Sequence, residues 1–123
     1  MSTTRQHLGH LGENLAVQAL QERGYRILER NVRVPGIGEI DILAQDGDTL
    51  VIVEVRTRRG APPFAPHDSV GPRKQAKLRT LAQTIAYARE WEGPVRVDLV
   101  AVELRRNGTL RRLEIVRDIV EGA

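Results

Sequence analysis

Apolar and polar positions alternate most regularly from Gly38 to Arg56 (GEIDILAQDGDTLVIVEVR), where β-branched residues recur at period two on either side of an Asp-Gly pair. This pattern predicts two antiparallel strands joined by a tight turn. Period two places Ile40, Ile42 and Ala44 on one face and Asp41 and Leu43 on the other. In the second strand Val51, Val53 and Val55 oppose Ile52, Glu54 and Arg56. A turn with an even number of residues pairs odd positions with even ones, so Asp41 shares a face with Glu54. With Asp46 and Gly47 at the tip, Asp41 faces Ile52 and Glu54 is its diagonal neighbour. With Gly47 and Asp48 at the tip, the two carboxylates are directly opposed. Either register brings their Cβ atoms within about 5 to 8 Å.

The rest of the chain is patterned around this hairpin. Leu8, Leu11, Leu15 and Ala19 recur at helical spacing from about Leu8 to Arg23, and Gly24 supplies a C-cap. Gly9, Gly12, Ala16 and Ala19 fall on or beside that stripe, so this helix can approach a sheet closely, and Glu13 at its flank can lean over the sheet's edge. Tyr25 to Arg33 alternates loosely before Val34-Pro35-Gly36-Ile37-Gly38 breaks the chain, which makes the first strand of a three-strand meander. Thr57 to Gly71 holds three prolines and little periodicity, so residues 58–71 are expected as a long mobile loop. Pro72 opens a second helix whose inner stripe is Leu78, Leu81, Ala82, Ile85 and Ala86, with Lys74 one turn earlier on the same stripe. Gly93-Pro94 restarts the chain into an alternating strand from Val95, and Asn107-Gly108 turns it into Leu110 to Val116. Asp98 is expected on a solvated strand face. The reading is an α/β fold: helix, three-strand antiparallel meander, helix, then two further strands in a mixed sheet.

Composition narrows the classes. A chain of 123 residues makes one domain with one core. The absence of cysteine excludes disulfides, thiolate metal sites and cysteine nucleophiles. No apolar run approaches the roughly 18 residues of a spanning helix, and the start lacks the apolar core of a signal peptide, so a cytoplasmic protein without membrane contact is expected. The balance of 19 Lys and Arg against 16 Asp and Glu is uneven, because Arg56, Arg58, Arg59, Arg73, Lys74, Lys77 and Arg79 lie in one region. Arg58, Arg59, Arg73 and Lys77 are candidate phosphate contacts, although a solvated basic surface gives the same composition. Tyr25, Phe64, Tyr87 and Trp91 are too scattered for a base-stacking platform, so nucleic-acid contact would be to backbone. His7 and His10 sit three apart without further ligands at suitable spacing, which argues against a metal pair there.

Two carboxylates side by side on a largely apolar strand pair repel each other and cost desolvation unless a cation joins them or they stay protonated. A hard, oxygen-seeking divalent ion resolves that conflict, and Arg56, on the face of Glu54, could hold an anion brought to it. A solvated polar face with Arg56 as a surface partner is the competing reading. Leu43 and Ile52 oppose it by making the acidic face partly apolar.

In this order of elements, Glu13, Gly38-Glu39-Ile40-Asp41 and Val53-Glu54-Val55-Arg56 resemble the PD-(D/E)XK nuclease superfamily. Within it, the whole chain looks like the YraN-like family of small bacterial proteins, through Gly12-Glu13 and Ala16, the Gly24-Tyr25-x-Ile27-Leu28 step and the lysine-bearing second helix. The resemblance implies a restriction-endonuclease-like core similar to archaeal Holliday-junction resolvases. It also implies a magnesium or manganese ion held by Asp41, Glu54 and the carbonyl of Val55, with Glu13 as a further acidic ligand. Glu39 would be an outer ligand or a structural partner. The implied activity is metal-dependent hydrolysis of DNA phosphodiesters, in branched or single-stranded DNA, and junction-cutting members act as homodimers. One position departs from the pattern: Arg56 stands where the superfamily signature has lysine. Arginine keeps the charge but cannot give up its proton, so general-base work there is excluded, and Lys74 is the candidate for the missing ammonium. The alternative function is a nucleic-acid-binding module, or partner of DNA-processing proteins, that has lost catalysis.

Overall fold

The computed structural model describes residues 4–60 and 70–123, with residues 4–6 as backbone only, and in them both hairpins join one sheet. The elements are α1 (Thr4–Glu22), β1 (Arg26–Val34), β2 (Gly38–Asp46), β3 (Thr49–Arg59), α2 (Pro72–Ala88), β4 (Val95–Leu104) and β5 (Leu110–Val116). The strands lie in the order β1-β2-β3-β4-β5. Only β3 and β4 run parallel, because α2 carries the chain back between them. No described helix is long and apolar enough to cross a membrane.

Each helix covers one face. Ala16 and Leu20 of α1 pack with Tyr25, Ile42, Val51 and Val53. Leu78, Leu81, Ala82, Ile85 and Ala86 of α2 pack with Leu43, Leu50, Ile52 and Leu99. The inner stripe of α2 matches its periodicity, and Pro72 stands in its first turn. On α1 the buried line runs through Gly12, Glu13, Ala16 and Leu20, whereas Leu11, expected on the stripe, is 40% exposed. The reason is Gly12: a Cβ there would collide with Thr57 Oγ1 and lie 2.8 Å from Thr57 Cβ, so α1 rests on its glycine and turns Leu11 outward. Gly24, at φ 88°, ends the helix, and the Tyr25 N–H closes back on the Leu20 carbonyl.

The hairpin takes the register with Gly47 and Asp48 at its tip: Asp46 pairs with Thr49, Leu43 with Ile52 and Ile42 with Val53. Strict period two fails at one place. Ile42 and Ala44 lie in the α1-side core, but Ile40 packs with Leu43 in the α2-side core. In β1 the corresponding step is Asn31, in left-handed backbone at φ 53°, between the pairs Arg30–Ile42 and Val32–Ile40. Asparagine tolerates that conformation better than most residues. The twist there swaps faces, so Asp41 sits at a crossover.

The loop begins later than expected. Arg58 and Arg59 belong to β3, because β4 extends to pair with them at Glu103 and Leu104. Residues 61–69 lie outside the described part of the chain, and Val70 is buried in the α2-side core. Asp98, expected on a solvated face, is fully buried. It accepts hydrogen bonds from Tyr25 OH (2.8 Å), Arg96 Nε (2.8 Å) and the Asp118 N–H (3.0 Å), so its charge is satisfied inside the fold.

Candidate active site

Where β2 crosses over, it also parts from β3. The ladder's last pair is Ile42 with Val53, and beyond it the side chain of Asp41 takes the place of a backbone partner: the Val55 N–H donates to Asp41 Oδ2 at 2.7 Å. A cleft of about 380 Å³ opens there, lined by Leu8, Gly9, His10 and Glu13 of α1 together with Asp41, Val55, Arg56 and Thr57. The close seat of α1 on Gly12 brings Glu13 over this edge, where it is only 7% exposed. Arg30 Nε (3.0 Å) and Asn31 Nδ2 (3.1 Å) both donate to Glu13 Oε1. Glu13 thus has an arginine partner at the same place from which it borders the cleft.

Glu54 lies one residue past the ladder and is 7% exposed. Two cations from different elements flank it: Arg56 Nε stands 3.6 Å from Oε1, and Lys74 Nζ, from the first turns of α2, stands 3.6 Å from Oε2. The Arg56 distance is too long for a good hydrogen bond, and Arg56 Nε is buried without a hydrogen-bond partner among the described residues.

The electrostatics single out Asp41. Its carboxyl is pushed up to about 6, first by burial and then by the nearby charge of Glu54, with Glu13 adding to the rise. The Val55 N–H and Lys74 act the other way without cancelling it. Carboxylates arranged so that one resists ionisation are short of positive charge, and oxygen donors of this kind suit magnesium or manganese. Asp41 and Glu54 therefore fit as two ligands of such an ion. Among the described residues, however, no three histidine, aspartate or glutamate side chains are gathered closely enough to hold one ion. Glu13 borders the same cleft but is held by Arg30 and Asn31, outside a shared ligand set in this conformation.

The other candidates separate. Glu39 is exposed and opposes Arg33 in the β1–β2 ladder, away from the cleft lining. Lys77 is exposed and its chain passes over Gly38, where an added Cβ would lie 2.6 Å from Lys77 Cε. Arg73 is exposed in the first turn of α2. Arg58 is exposed on β3, and Arg59 donates through Nε (2.9 Å) and Nη2 (2.7 Å) to the Arg106 carbonyl. Pattern reading missed Asn31, Thr57 and His10. Asn31 carried a signal, as an asparagine inside a strand pattern; His10, three residues before Glu13, lines the same cleft.

The fold and site define an α/β protein with a mixed five-stranded sheet between two helices and an acidic cleft where the central hairpin opens. The chain belongs to the uncharacterised protein family UPF0102, which it matches over residues 12–102. Relatives match nearly end to end. A UPF0102 protein of Moorella thermoacetica is 42% identical over 118 residues, 95% of this chain and 98% of its own length. Another, of Renibacterium salmoninarum, is 44% identical over 119 residues, 94% of this chain and 98% of its own. A third, of Dehalococcoides mccartyi, is 40% identical over 119 residues, covering 96% of each chain.

Proposed function

We propose that this chain is a cytoplasmic, metal-dependent nuclease that hydrolyses DNA phosphodiesters, with Asp41 and Glu54 as the ligands of a magnesium or manganese ion. The observation that carries the reading is the convergence of Asp41, Glu54, Arg56 and Lys74, from three separate elements, on one buried acidic edge. When bound, the ion would polarise a phosphoryl oxygen and make a coordinated water more acidic. The protein's own groups do the rest. The Val55 N–H orients Asp41. Arg56 and Lys74 are poised to leave Glu54 for a phosphate and to stabilise charge developing on it. Arg56 stays protonated throughout, so any proton exchange on the basic side falls to Lys74.

The test is cleavage of a labelled panel of duplex, single strand, flap and four-way junction with magnesium or manganese, comparing the native chain with Asp41→Asn. Cleavage by the native chain that chelator and Asp41→Asn both abolish is the expected result. Equal cleavage by both proteins, or none, would overturn the proposal. The division of labour has its own check: Arg56→Ala and Lys74→Ala should each reduce cleavage, and full activity in Lys74→Ala removes the lysine from the mechanism. One observation favours a second reading, a nucleic-acid-binding module that does not cut: Glu54 is flanked by two cations of the chain itself. Salt-sensitive DNA binding without cleavage would select it.

A further inference from the structure

The basic residues singled out by position in the chain lie around the cleft and at the start of α2, but a denser group is assembled by the β4–β5 hairpin. Across residues 54–60 of β3 and residues 103–114 of the hairpin stand seven arginines (Arg56, Arg58, Arg59, Arg105, Arg106, Arg111 and Arg112) against three glutamates (Glu54, Glu103 and Glu114). Seven less three is a net charge of +4, more than the +3 of the whole chain. Outside it, basic and acidic residues nearly balance, at −1.

These arginines sit on a rigid platform. Arg59 donates twice to the Arg106 carbonyl, and the Gly60 N–H donates to the Leu104 carbonyl at 2.9 Å, fastening the turn to the end of β3. Inside the turn the Arg105 N–H bonds the Thr109 carbonyl at 2.8 Å, and Asn107 Oδ1 accepts from both the N–H and the hydroxyl of Thr109. Arg105 is spent internally, on the Leu110 carbonyl at 2.6 Å. Arg106 and Arg111 are exposed, and neither guanidinium has a hydrogen bond or ion pair among the described residues. Arg111 is the extra residue of a bulge, since Glu103 pairs with Arg112 and Leu104 with Leu110. A bulge of this kind re-aims a side chain away from the ladder.

We infer that the β4–β5 turn, through Arg106 and Arg111, is a second grip on the DNA backbone, separate from the cleft. It rests on the nucleic-acid partner of the proposed function but not on its chemistry. Arg59, which anchors the turn, lies three residues beyond Arg56 along β3, about 10 Å at strand rise. A backbone crossing the cleft would reach the turn within a few phosphates. The grip is sequence-independent, because guanidinium contacts to phosphate position the duplex without reading bases.

The experiment measures binding of the full chain to a labelled DNA duplex in calcium, without cleavage, across a salt series. The Arg106→Gln/Arg111→Gln double variant keeps much of each side-chain stem while removing both charges. Its affinity should fall by roughly tenfold or more at low salt, and the slope of log affinity against log salt should shrink by about 2. The Arg106→Lys/Arg111→Lys variant should restore both. Unchanged affinity and slope in the double glutamine variant, or failure of the lysine variant to restore binding, overturns the inference, as does a native chain that binds no duplex. Cleavage assays on the same proteins keep the two ideas apart. A grip without cleavage sinks the nuclease reading alone, and cleavage with an unaltered salt slope sinks the grip alone.

Discussion

At the scale of single residues, Asp41 concentrates the site's electrostatics. Its folded-state carboxyl titrates near 6, above its usual 3.8. The folded chain therefore holds more protons than the unfolded chain between those values, and the contribution of Asp41 to stability, complete below about 3.8, is lost as pH rises through about 6. Two outcomes follow for the metal-free protein. Asp41→Asn should melt at a higher temperature than the native chain at pH 7, and the difference should narrow at pH 4.5, as differential scanning calorimetry would show. Equal melting temperatures at pH 7 would mean that Asp41 carries no electrostatic cost. Divalent ions should also bind more weakly below about pH 6, because the proton competes for the same oxygens. The nearness of Asp41 to Glu54 was legible from hairpin parity, and the register with Gly47 and Asp48 at the tip was one of two that parity allowed, but the ladder stops at Ile42–Val53 and does not pair the two carboxylates as that register implied. The loss of period two at Asp41 was not legible. It depends on a left-handed Asn31 in the neighbouring strand, which period-two counting along β2 does not register.

Among elements, α1 shows how a helix can be placed by what it lacks. Its pattern predicted the helix and its close approach through Gly12 and Ala16, but put Leu11 on the contact line, which it leaves for solvent. Gly12→Ala should therefore push α1 off β3, since the added methyl meets both Thr57 Cβ (2.8 Å) and Thr57 Cγ2 (2.9 Å) and rotation of the hydroxyl alone cannot relieve it. The expected loss is about 1–3 kcal/mol in urea denaturation, with partial recovery in Gly12→Ala/Thr57→Gly. Recovery would locate the strain at that contact; a neutral Gly12→Ala would show that the helix is free to shift. Because Glu13 is the next residue, the same displacement should weaken its bonds to Arg30 and Asn31. By contrast α2 was fully legible, since its five buried residues keep helical spacing and nothing small interrupts them. The far end of β3 was misread for a different reason: Arg58 and Arg59 are strand residues only because β4 is long enough to pair with them, a fact about another part of the chain.

Over the whole molecule, two buried acidic clusters one register step apart on the β3–β4 pair, Asp98 beside Val53 and Glu54 beside Leu99, handle charge in opposite ways. In the first, Asp98 is fully buried and answered by Tyr25, Arg96 and the Asp118 N–H, while Arg96 Nη2 also donates to Asp46 Oδ2 at 2.8 Å. Burial and the bond to Asp98 hold the Tyr25 hydroxyl above its usual range, so it stays a neutral donor. The neighbourhood of Asp98 also receives residues 117–123: the Ile119 N–H bonds the Val97 carbonyl, and Val120 is buried against α2. That closure was illegible, because the final residues show neither helical nor strand period. In the second, Asp41 and Glu54 lack internal answers of comparable quality. One cluster is closed by its own hydrogen bonds and the other is left in deficit, which is how a fold can hold a site open without losing the sheet. The contrast predicts mutations of opposite sign. Asp98→Ala strands a largely buried guanidinium, a tyrosine hydroxyl and a backbone N–H together, so it should cost about 3–5 kcal/mol, against about 1–2 kcal/mol for Tyr25→Phe, which removes the hydroxyl's bond to Asp98 and the one it accepts from Arg96 Nη2. Asp41→Asn, an equally small change to a carboxylate in the same sheet, should stabilise the metal-free protein. Chemical denaturation of the three variants at pH 7 decides the matter. If Asp98→Ala and Asp41→Asn moved stability in the same direction, the contrast between a satisfied acidic cluster and an unsatisfied one would not hold.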